Sequence, residues 1–344
     1  MEYLSKDALS KLNGNKLNSI NVVSIILTMA YKIGSFNMYK FSLQSDNEIR
    51  KDIGVLSRII QDNRFDIIAL QEVFSPNALD RLLNHLGRYE WEGVWDSPRS
   101  FSSVAAEGYG FIWNKKRMRL AITTLSDGTK KTFSPHIYNQ YRVDRHLGQT
   151  QLIRNPYYAR FEPLDGSFCE IRLINTHILF SKGSSSRYLT NQLMDIGAVA
   201  MRKHEFDILT QALYNTIADK RYGNNRPAYT IILGDYNLNL RTSGASGAFL
   251  NEIVLVQDRG QIKHLVTVQD QLSTLKMDKS EKQADFSFWA NNYDHFTYDL
   301  DRFATVSAIP SRIDTVKEYC NNDFELHRRT VSDHVPIALN INLK

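Results

Sequence analysis

The sequence predicts a mixed α/β protein, and three observations support this. Runs typical of strands alternate along the chain with runs typical of helices. Segment 65–71 (FDIIALQ) is almost continuously apolar, as expected of a central strand covered on both faces. Segment 191–219 repeats apolar residues at helical spacing. With 344 residues, 42% of them apolar and 23% charged, the chain can form a sizeable core.

Two further helices are predicted in the first quarter of the chain. Ser45 and Glu48 match the Ser-x-x-Glu pattern of a capping box, and apolar residues then repeat at helical spacing. A helix is therefore expected over 46–61. A shorter helix is expected over 76–86, because Pro76 suits a first helical turn.

Strands are predicted where short apolar runs end at turn residues. The segment that joins two of them contains Asp165-Gly166, which predicts a hairpin. Besides 65–71, the predicted strands are 33–37, 107–113, 120–125, 157–161, 168–177, 228–233, 285–296, 302–308 and 335–343.

Charge and cysteine content restrict the function only weakly. The formal charge of +5 suits a polyanionic partner, although many basic proteins bind none. Two cysteines, Cys169 and Cys320, do not make a disulfide framework, and the sequence leaves open whether they pair.

Residues 1–30 are predicted to be an extension that precedes one domain at 31–344. The apolar run 20–30 ends in Thr-Met-Ala, which suits a signal-peptide cleavage site, but Glu2 and Asp7 precede it. The alternative is an additional packed helix or strand. The run is too short to span a bilayer, so stable membrane insertion is not expected. A cytoplasmic location is favoured, with secretion expected if the extension is a signal peptide.

Polar residues recur where predicted strands end. Asn37, Glu72, His177 and Asp235 each lie at or just beyond the end of an apolar run, where α/β folds gather functional side chains. Asp235 and Asn237 are two residues apart and so can point the same way. A carboxylate can bind a hard cation or accept a proton from water. The alternative is an ordinary Asp/Asn turn.

Two histidines sit beside polar residues at strand termini. His177 ends the run Asn-Thr-His, and His334 ends Ser-Asp-His just before the last strand. A single such histidine is usually structural. Together they suit hydrolysis of a phosphate ester, which needs a base for water and positive groups for the charge that develops on oxygen.

These segments together resemble the endonuclease/exonuclease/phosphatase superfamily, which has the DNase I-like fold. The resemblance spans 33–343 and implies a four-layer α/β sandwich, in which two packed mixed β-sheets are flanked by helices. It also implies a hydrolase. The motifs that carry it, in order, are Ser35-Phe36-Asn37, Gln71-Glu72, Asn175-Thr176-His177, Gly234-Asp235-Tyr236-Asn237 and Ser332-Asp333-His334.

The resemblance implies a metal site. Glu72 would be the main ligand, with Asn37 and Asp333 close by, and Asn37 would also contact substrate. The expected ion is Mg²⁺, with Mn²⁺ or Ca²⁺ as alternatives, and whether one or two ions bind is left open.

The resemblance also implies catalytic roles. His334 would activate water and His177 would assist at the leaving oxygen, although which histidine is the base stays open. Asp235 and Asn237 would orient the nucleophile and the phosphate.

Several details are most similar to the DNase I branch. Glu107 would pair with His177, Asp294 would pair with His334, and Arg154 would grip substrate phosphate. These features predict a metal-dependent endonuclease that hydrolyses DNA. The alternative is a phosphatase or phospholipase C-type enzyme of the same fold, acting on an inositol lipid or sphingomyelin. A binding protein without activity is a third reading, disfavoured because every motif position is filled.

The sequence departs from that branch at two positions. His295 stands where an arginine is usual, and Ala105 stands where a groove-contacting aromatic is frequent. Arg142, Arg145 and Arg241 are further candidates for contacts with a DNA backbone.

Overall fold

The computed structural model describes residues 30–43, 50–98, 107–141, 152–180, 191–223, 226–240, 249–258, 261–276 and 288–343. Within these ranges the chain forms two large mixed β-sheets flanked by helices, which confirms the predicted fold class. The extension before Ala30 lies outside the described residues, so its alternatives stay predictions. No described helix is long and apolar enough to cross a membrane.

The strands, in chain order, are β1 (Ala30–Phe41), β2 (Ile67–Val73), β3 (Trp91–Asp96), β4 (Gly108–Asn114), β5 (Met118–Leu120), β6 (Ile122–Thr124), β7 (Lys130–Thr132), β8 (His136–Ile137), β9 (Tyr157–Pro163), β10 (Glu170–His177), β11 (Ala228–Asp235), β12 (Asn239–Leu240), β13 (Phe249–Leu250), β14 (Ile253–Asp258), β15 (Gln261–Val268), β16 (Asp294–Asp299), β17 (Val306–Arg312) and β18 (Ile337–Leu343). The helices are α1 (Ile53–Asp62), α2 (Pro76–Leu86), α3 (Asn191–Asp207), α4 (Asn215–Ala218), α5 (Thr315–Cys320) and α6 (Phe324–Thr330). A π-helical segment (Ile208–Tyr214) joins α3 to α4, and a 3₁₀ turn (Arg302–Thr305) precedes β17.

Each large sheet has a parallel pair at its centre. Sheet 1 has the order β17-β18-β1-β2-β4-β3, and sheet 2 has the order β14-β15-β16-β11-β10-β9-β5, with β8 added beside β9. The pairs β1–β2 and β10–β11 are parallel, so their carboxyl ends lie at one edge of each sheet. Helical segments connect the two strands of each pair.

Alternating side chains build three apolar layers. In β2, Ile67 and Ala69 face sheet 2 across the central core, whereas Ile68 and Leu70 pack toward α1 and α2. A third cluster lies between the outer face of sheet 2 and the helical segment that follows Phe206. The almost continuous apolar run in β2 is therefore explained by burial on both faces.

The first helix begins later than predicted. Residues 50–52 are not helical, and α1 starts at Ile53. The Asp52 side chain is its N-cap and accepts a hydrogen bond from Val55 N at 3.0 Å. This cap satisfies a free N–H of the first turn, which fixes the start there. The Ser45–Glu48 box lies outside the described residues.

Three predicted strands are also wrong in their limits. Segment 120–125 breaks at Ala121 into β5 and β6, because these pair with different strands. Segment 302–308 begins as a 3₁₀ turn, in which Phe303 packs 4.3 Å from the Tyr298 ring. The strand expected over 285–296 begins at Asp294 and continues to Asp299, with 277–287 outside the described part.

Other elements follow the sequence prediction. The hairpin at Asp165-Gly166 joins the antiparallel strands β9 and β10. The long helix is continuous from Asn191, with the π-helical segment inside it. Cys169 and Cys320 are both buried and unpaired.

Candidate active site

Sheet 1 presents an amide and a carboxylate at an irregular strand end. The register between β1 and β2 shifts after Asn37, and Glu72 and Lys40 have φ values of 55° and 52°. Left-handed backbone is uncommon for such residues, and an irregularity of this kind redirects side chains. Asn37 Nδ2 donates to Glu72 Oε1 at 3.1 Å, and Lys40 N donates to Glu72 Oε2 at 3.0 Å. The irregularity thus holds Asn37 against Glu72.

Sheet 2 presents its reactive groups on neighbouring parallel strands. His177 is paired in register with Asp235, so both side chains emerge at one edge. Gly234 has φ of 142°, and a Cβ there would lie 1.9 Å from Thr176 O. A side chain at this position would force the two strands apart. Just beyond, Asn237 N donates to Asp235 Oδ1 at 2.9 Å, which fixes that carboxylate.

Two imidazole–carboxylate pairs converge on one carboxylate. In the first pair, His177 Nδ1 is hydrogen-bonded to Glu107. In the second pair, His334 Nδ1 lies 2.8 Å from Asp294 Oδ2. The Nε2 atoms of both histidines lie 3.6 Å from Asp235 Oδ2. The structure therefore brings both sequence-predicted pairs together around Asp235.

Each pair is built from both sheets. His177 belongs to sheet 2, whereas Glu107 directly precedes β4 of sheet 1. The second pair is reversed, since His334 precedes β18 of sheet 1 and Asp294 begins β16 of sheet 2. The docking of the two sheets therefore creates both pairs.

Burial and neighbouring charges oppose each other at the histidines. Burial disfavours a charged His177, but Glu107 and Asp235 outweigh it and raise its pKa to about 9. Burial likewise opposes charge on His334, whose pKa Asp294 and Asp235 raise well above the ordinary value. Burial also raises the pKa of Asp235, although both histidines favour its ionised form. The neighbouring carboxylates thus favour the protonated form of both imidazoles, which suits an anionic ligand.

Arg154 lies beside the first pair. Its NH2 is 2.7 Å from Glu107 Oε2, and its NH1 is 3.1 Å from His177 Nδ1. Burial works against ionisation of Glu107, but its partners His177 and Arg154 lower its pKa. The preceding backbone is fixed by Glu205, which accepts a hydrogen bond from Ile153 N at 2.5 Å. The predicted phosphate-binding arginine is therefore held in the site.

Two acids beside the second pair could hold a cation. Among the residues that the structure describes, none is a hydrogen-bond partner of the buried Asp333 Oδ1. Burial raises the pKa of Asp333 to about 6, with His334 opposing and the charge of Glu72 adding to the rise. In the part of the chain that the structure describes, no three His, Cys, Asp or Glu side chains are grouped to hold a metal ion. The oxygens of Glu72, Asp333 and Asn37 are nevertheless of the type that Mg²⁺ prefers, and Asn37 Oδ1 also accepts a hydrogen bond from Tyr39 N at 2.9 Å.

Both histidines, Glu107, Arg154, Asp235, Glu72 and Asp333 line one cleft of about 610 Å³, whereas Asp294 is fully buried behind His334. The cleft also exposes Lys40, Leu179, Phe180, Leu275 and Tyr293. Asn37 does not line it directly, but its Nδ2 donates to Asp235 Oδ2 at 3.0 Å.

Other candidates from the sequence do not reach this cleft or are not described. His295 is fully buried behind it, with Nε2 2.7 Å from Leu238 O, so it cannot replace an arginine that faces substrate. Ala105, Arg142, Arg145 and Arg241 lie outside the described residues.

Several positioning contacts were missed at the sequence level. Ser273 Oγ donates to Asp294 Oδ2 at 2.6 Å. Ser332 Oγ donates to Asn37 O at 2.7 Å and receives His334 N at 3.1 Å, which ties β1 to the second pair. Ser332 stood within a motif that could have revealed it, whereas Ser273 lies in a stretch without a readable pattern.

The family of the protein follows from a comparison with family models. The model of the Endonuclease/Exonuclease/phosphatase family matches residues 34–334. The chain belongs to this family, whose members are hydrolytic phosphoesterases that generally use divalent metal ions. A comparison with curated proteins gives no match.

Solved structures share the fold at low sequence identity. ANGEL2, described as a 2′,3′-cyclic phosphatase, is 13% identical with a TM-score of 0.53, covering 91% of this chain and 95% of that one. The human nocturnin catalytic domain with bound sulfate is 11% identical with a TM-score of 0.50, covering 92% and 95%. A functionally unknown protein from Enterococcus faecalis V583 is 13% identical with a TM-score of 0.50, covering 91% and 100%. These likenesses confirm the DNase I-like fold.

Proposed function

We propose that the protein is a divalent-metal-dependent endonuclease that cleaves DNA by in-line attack of water on phosphorus. The observation that carries this proposal is the convergence of the two imidazole–carboxylate pairs, with both Nε2 atoms 3.6 Å from Asp235 Oδ2. Imidazoles held in this way can bind phosphate oxygens and move protons on either side of phosphorus. Arg154 adds a planar, permanently charged fork beside the first pair.

In this mechanism the two pairs act at opposite oxygens. His334, oriented by Asp294, takes a proton from the attacking water. His177 gives a proton to the leaving oxygen. Because neighbouring carboxylates raise the pKa of His334, it must first lose its own proton, so positive charge near Asp333 favours the reaction. Asp235 and Asn237 orient water and phosphate.

The cation site would consist of Glu72, Asp333 and Asn37. A bound Mg²⁺, with Mn²⁺ or Ca²⁺ as alternatives, would offset negative charge on the phosphate. The unpartnered Asp333 Oδ1 and the repulsion between the two acids support this assignment.

We favour DNA as the substrate because Arg154, Glu107 and Asp294 occupy sequence positions that resemble the DNase I branch, and because the chain has a net charge of +5. The alternative is a phosphatase or a phospholipase acting on an inositol lipid or sphingomyelin. ANGEL2 has the same fold and is described as a phosphatase. A shared fold and core do not determine substrate.

The proposal is tested by nicking of supercoiled plasmid in Mg²⁺ and in EDTA. We expect cleavage only with the metal ion, and a loss of about 10²- to 10⁴-fold in His177→Ala and in His334→Ala. His264→Ala is a matched control, because His264 also pairs with a carboxylate, Asp301, at 2.8 Å but on the exposed surface.

Nicking that persists in EDTA, or undiminished in both cleft variants, would contradict the proposal. The same enzymes are assayed on RNA, sphingomyelin and inositol phosphates. Faster turnover on a lipid or small phosphoester than on DNA would favour the alternative.

A further inference from the structure

Two aromatic rings stand at one rim of the cleft. Phe180 follows His177 by three residues, lines the cleft and is 42% exposed. Its ring centroid lies 6.4 Å from that of Tyr293, and the rings are tilted by 40°. Tyr293 directly precedes Asp294 of the second pair. Aromatic surface, with the ring of Phe180 as its exposed part, therefore lies beside the groups that would handle phosphate.

A buried guanidinium supports these rings from behind. Arg202 of α3 is 6% exposed, and its charge centre lies 4.9 Å from the centroid of Phe180. The Tyr293 hydroxyl accepts a hydrogen bond from Arg202. Within the described part of the chain, Arg202 Nε and NH1 have no hydrogen-bond partner, and the guanidinium contacts the face of the Phe180 ring. Arg202 does not line the cleft, so the opposite face of Phe180 is the one open to it.

We propose that Phe180 and Tyr293 form a stacking platform for an unpaired nucleobase next to the scissile phosphate. The proposal rests on the function proposed above and narrows the substrate to single-stranded or locally unpaired nucleic acid. Proteins that bind single strands combine aromatic rings for the bases with positive groups for the backbone. Both are present here, since Arg154 and Lys40 line the same cleft.

The charges of the cleft favour a base over an acyl chain. Glu72 and Asp235 lie along the same cleft, together with the cationic groups. An acyl chain would need a continuous apolar groove, whereas a base needs one flat ring and leaves its sugar and phosphate among polar groups. In this cleft, charged side chains share the lining with the apolar groups Phe180, Leu179 and Leu275, so the lining is not apolar throughout.

The test is a thermodynamic cycle between the ring and the base. A 12-nucleotide DNA strand and its fully abasic analogue are titrated against the full-length protein in EDTA, which prevents metal-dependent cleavage. We expect Phe180→Ala to weaken binding of the normal strand about 10-fold or more and to leave the abasic strand unchanged. Phe180→Leu, which keeps apolar volume but lacks a flat ring, should show the same pattern with an unchanged thermal midpoint.

Phe168→Ala is the matched control. Phe168 is 63% exposed, and the charge centre of Arg226 lies 5.4 Å from its ring centroid. It lies at the other end of β10, roughly 30 Å from His177 along the strand. Its replacement should leave binding of both strands unchanged.

Three results would overturn the platform. The first is an equal loss of affinity for normal and abasic strands, and the second is an equal loss in Phe168→Ala. The third, from a parallel titration with sphingomyelin vesicles, is a loss of vesicle binding with DNA binding unchanged. If wild type nicks plasmid while the cycle shows no coupling, the platform fails and the nuclease proposal stands. If coupling is present but no nucleic acid is cleaved in Mg²⁺, the platform stands and the nuclease proposal fails.

Discussion

The two imidazole–carboxylate pairs share one geometry but have different neighbours. Both Nε2 atoms lie 3.6 Å from the same carboxylate oxygen. In the first pair the carboxylate is shared with the cation Arg154, whereas in the second pair it is shared with the neutral hydroxyl of Ser273. Burial and, to a smaller extent, Arg154 oppose the rise that Glu107 and Asp235 cause in the pKa of His177, whereas the hydroxyl beside the second pair carries no charge. Equal distances therefore do not mean equal chemistry, and we infer that the first pair faces phosphate and the second handles the proton of water.

The largest loss of activity should come from replacing Asp235, the carboxylate that both pairs contact. Asp235→Asn keeps the shape of the side chain but deletes the charge between both imidazoles. We expect kcat to fall about 10³-fold or more, because both histidines lose a stabilising partner. The measurement is single-turnover cleavage in Mg²⁺, with a circular dichroism spectrum to verify folding. A variant that retains a tenth of the activity would refute a shared role.

Acid pH should destabilise the protein through His327, which contacts Ser332 in the segment that carries His334. Nδ1 of this buried histidine lies 2.7 Å from Ser332 O, and its Nε2 lies 2.8 Å from Thr315 Oγ1. A neutral ring can make both contacts. Burial lowers its pKa to about 4. The unfolded chain binds this proton near pH 6.5, so the free energy of unfolding should fall by about 3 kcal/mol as the pH drops from 6.5 to 4.

The measurement for that effect is urea unfolding at several pH values between 7 and 4. His327→Gln should be less stable at neutral pH but should show a flatter decline across this window. Parallel declines in wild type and variant would assign the acid sensitivity to other groups.

Replacing Glu107 and Asp294, the acids that orient the two imidazoles, should distinguish the roles of the two pairs kinetically. Glu107→Gln and Asp294→Asn each remove the charge that orients one imidazole, at an expected cost of about 10- to 100-fold in kcat. Glu107→Gln also frees Arg154, so its KM should rise, whereas that of Asp294→Asn should change little. Steady-state kinetics on a short single-stranded DNA measure both constants. Identical changes in KM would remove the proposed division of roles.

The smallest effect should come from Arg154. Arg154→Lys keeps the charge but loses the two-pronged contact, so KM should rise about 10-fold with little change in kcat. Arg154→Ala should also raise the pKa of His177 above about 9, because a neighbouring positive charge is lost. NMR titration of His177 measures the shift, and Arg119→Ala, remote from the cleft, is the control. A downward shift would contradict the described contacts.

Sequence patterns predicted elements whose causes are local. The apolar run of β2 and the Asp165-Gly166 hairpin carry their own signals and were confirmed. The start of α1 was wrong, because Ser45 and Asp52 both satisfy the rules for an N-cap and the choice between them depends on packing. The break at Ala121 depends on which strands pair on either side.

In the site, too, residues with local sequence motifs were predicted, whereas contacts between distant segments were not. Motifs at strand ends revealed the residues that the structure brings together. Ser273 and Glu205 gave no signal, because their contacts join segments 21 and 52 residues apart in the chain. Phe180 was likewise indistinguishable from a core residue until its exposure in the cleft was seen.

The origin of each pair in both sheets has a consequence for folding. Neither sheet alone contains both members of either pair in the cleft, and the apolar layer between the sheets brings the partners into contact. An intermediate with one sheet formed would hold unassembled halves and would be inert toward phosphoesters. Hydrolytic competence would then arise late, as the sandwich closes, and would report on that closure directly.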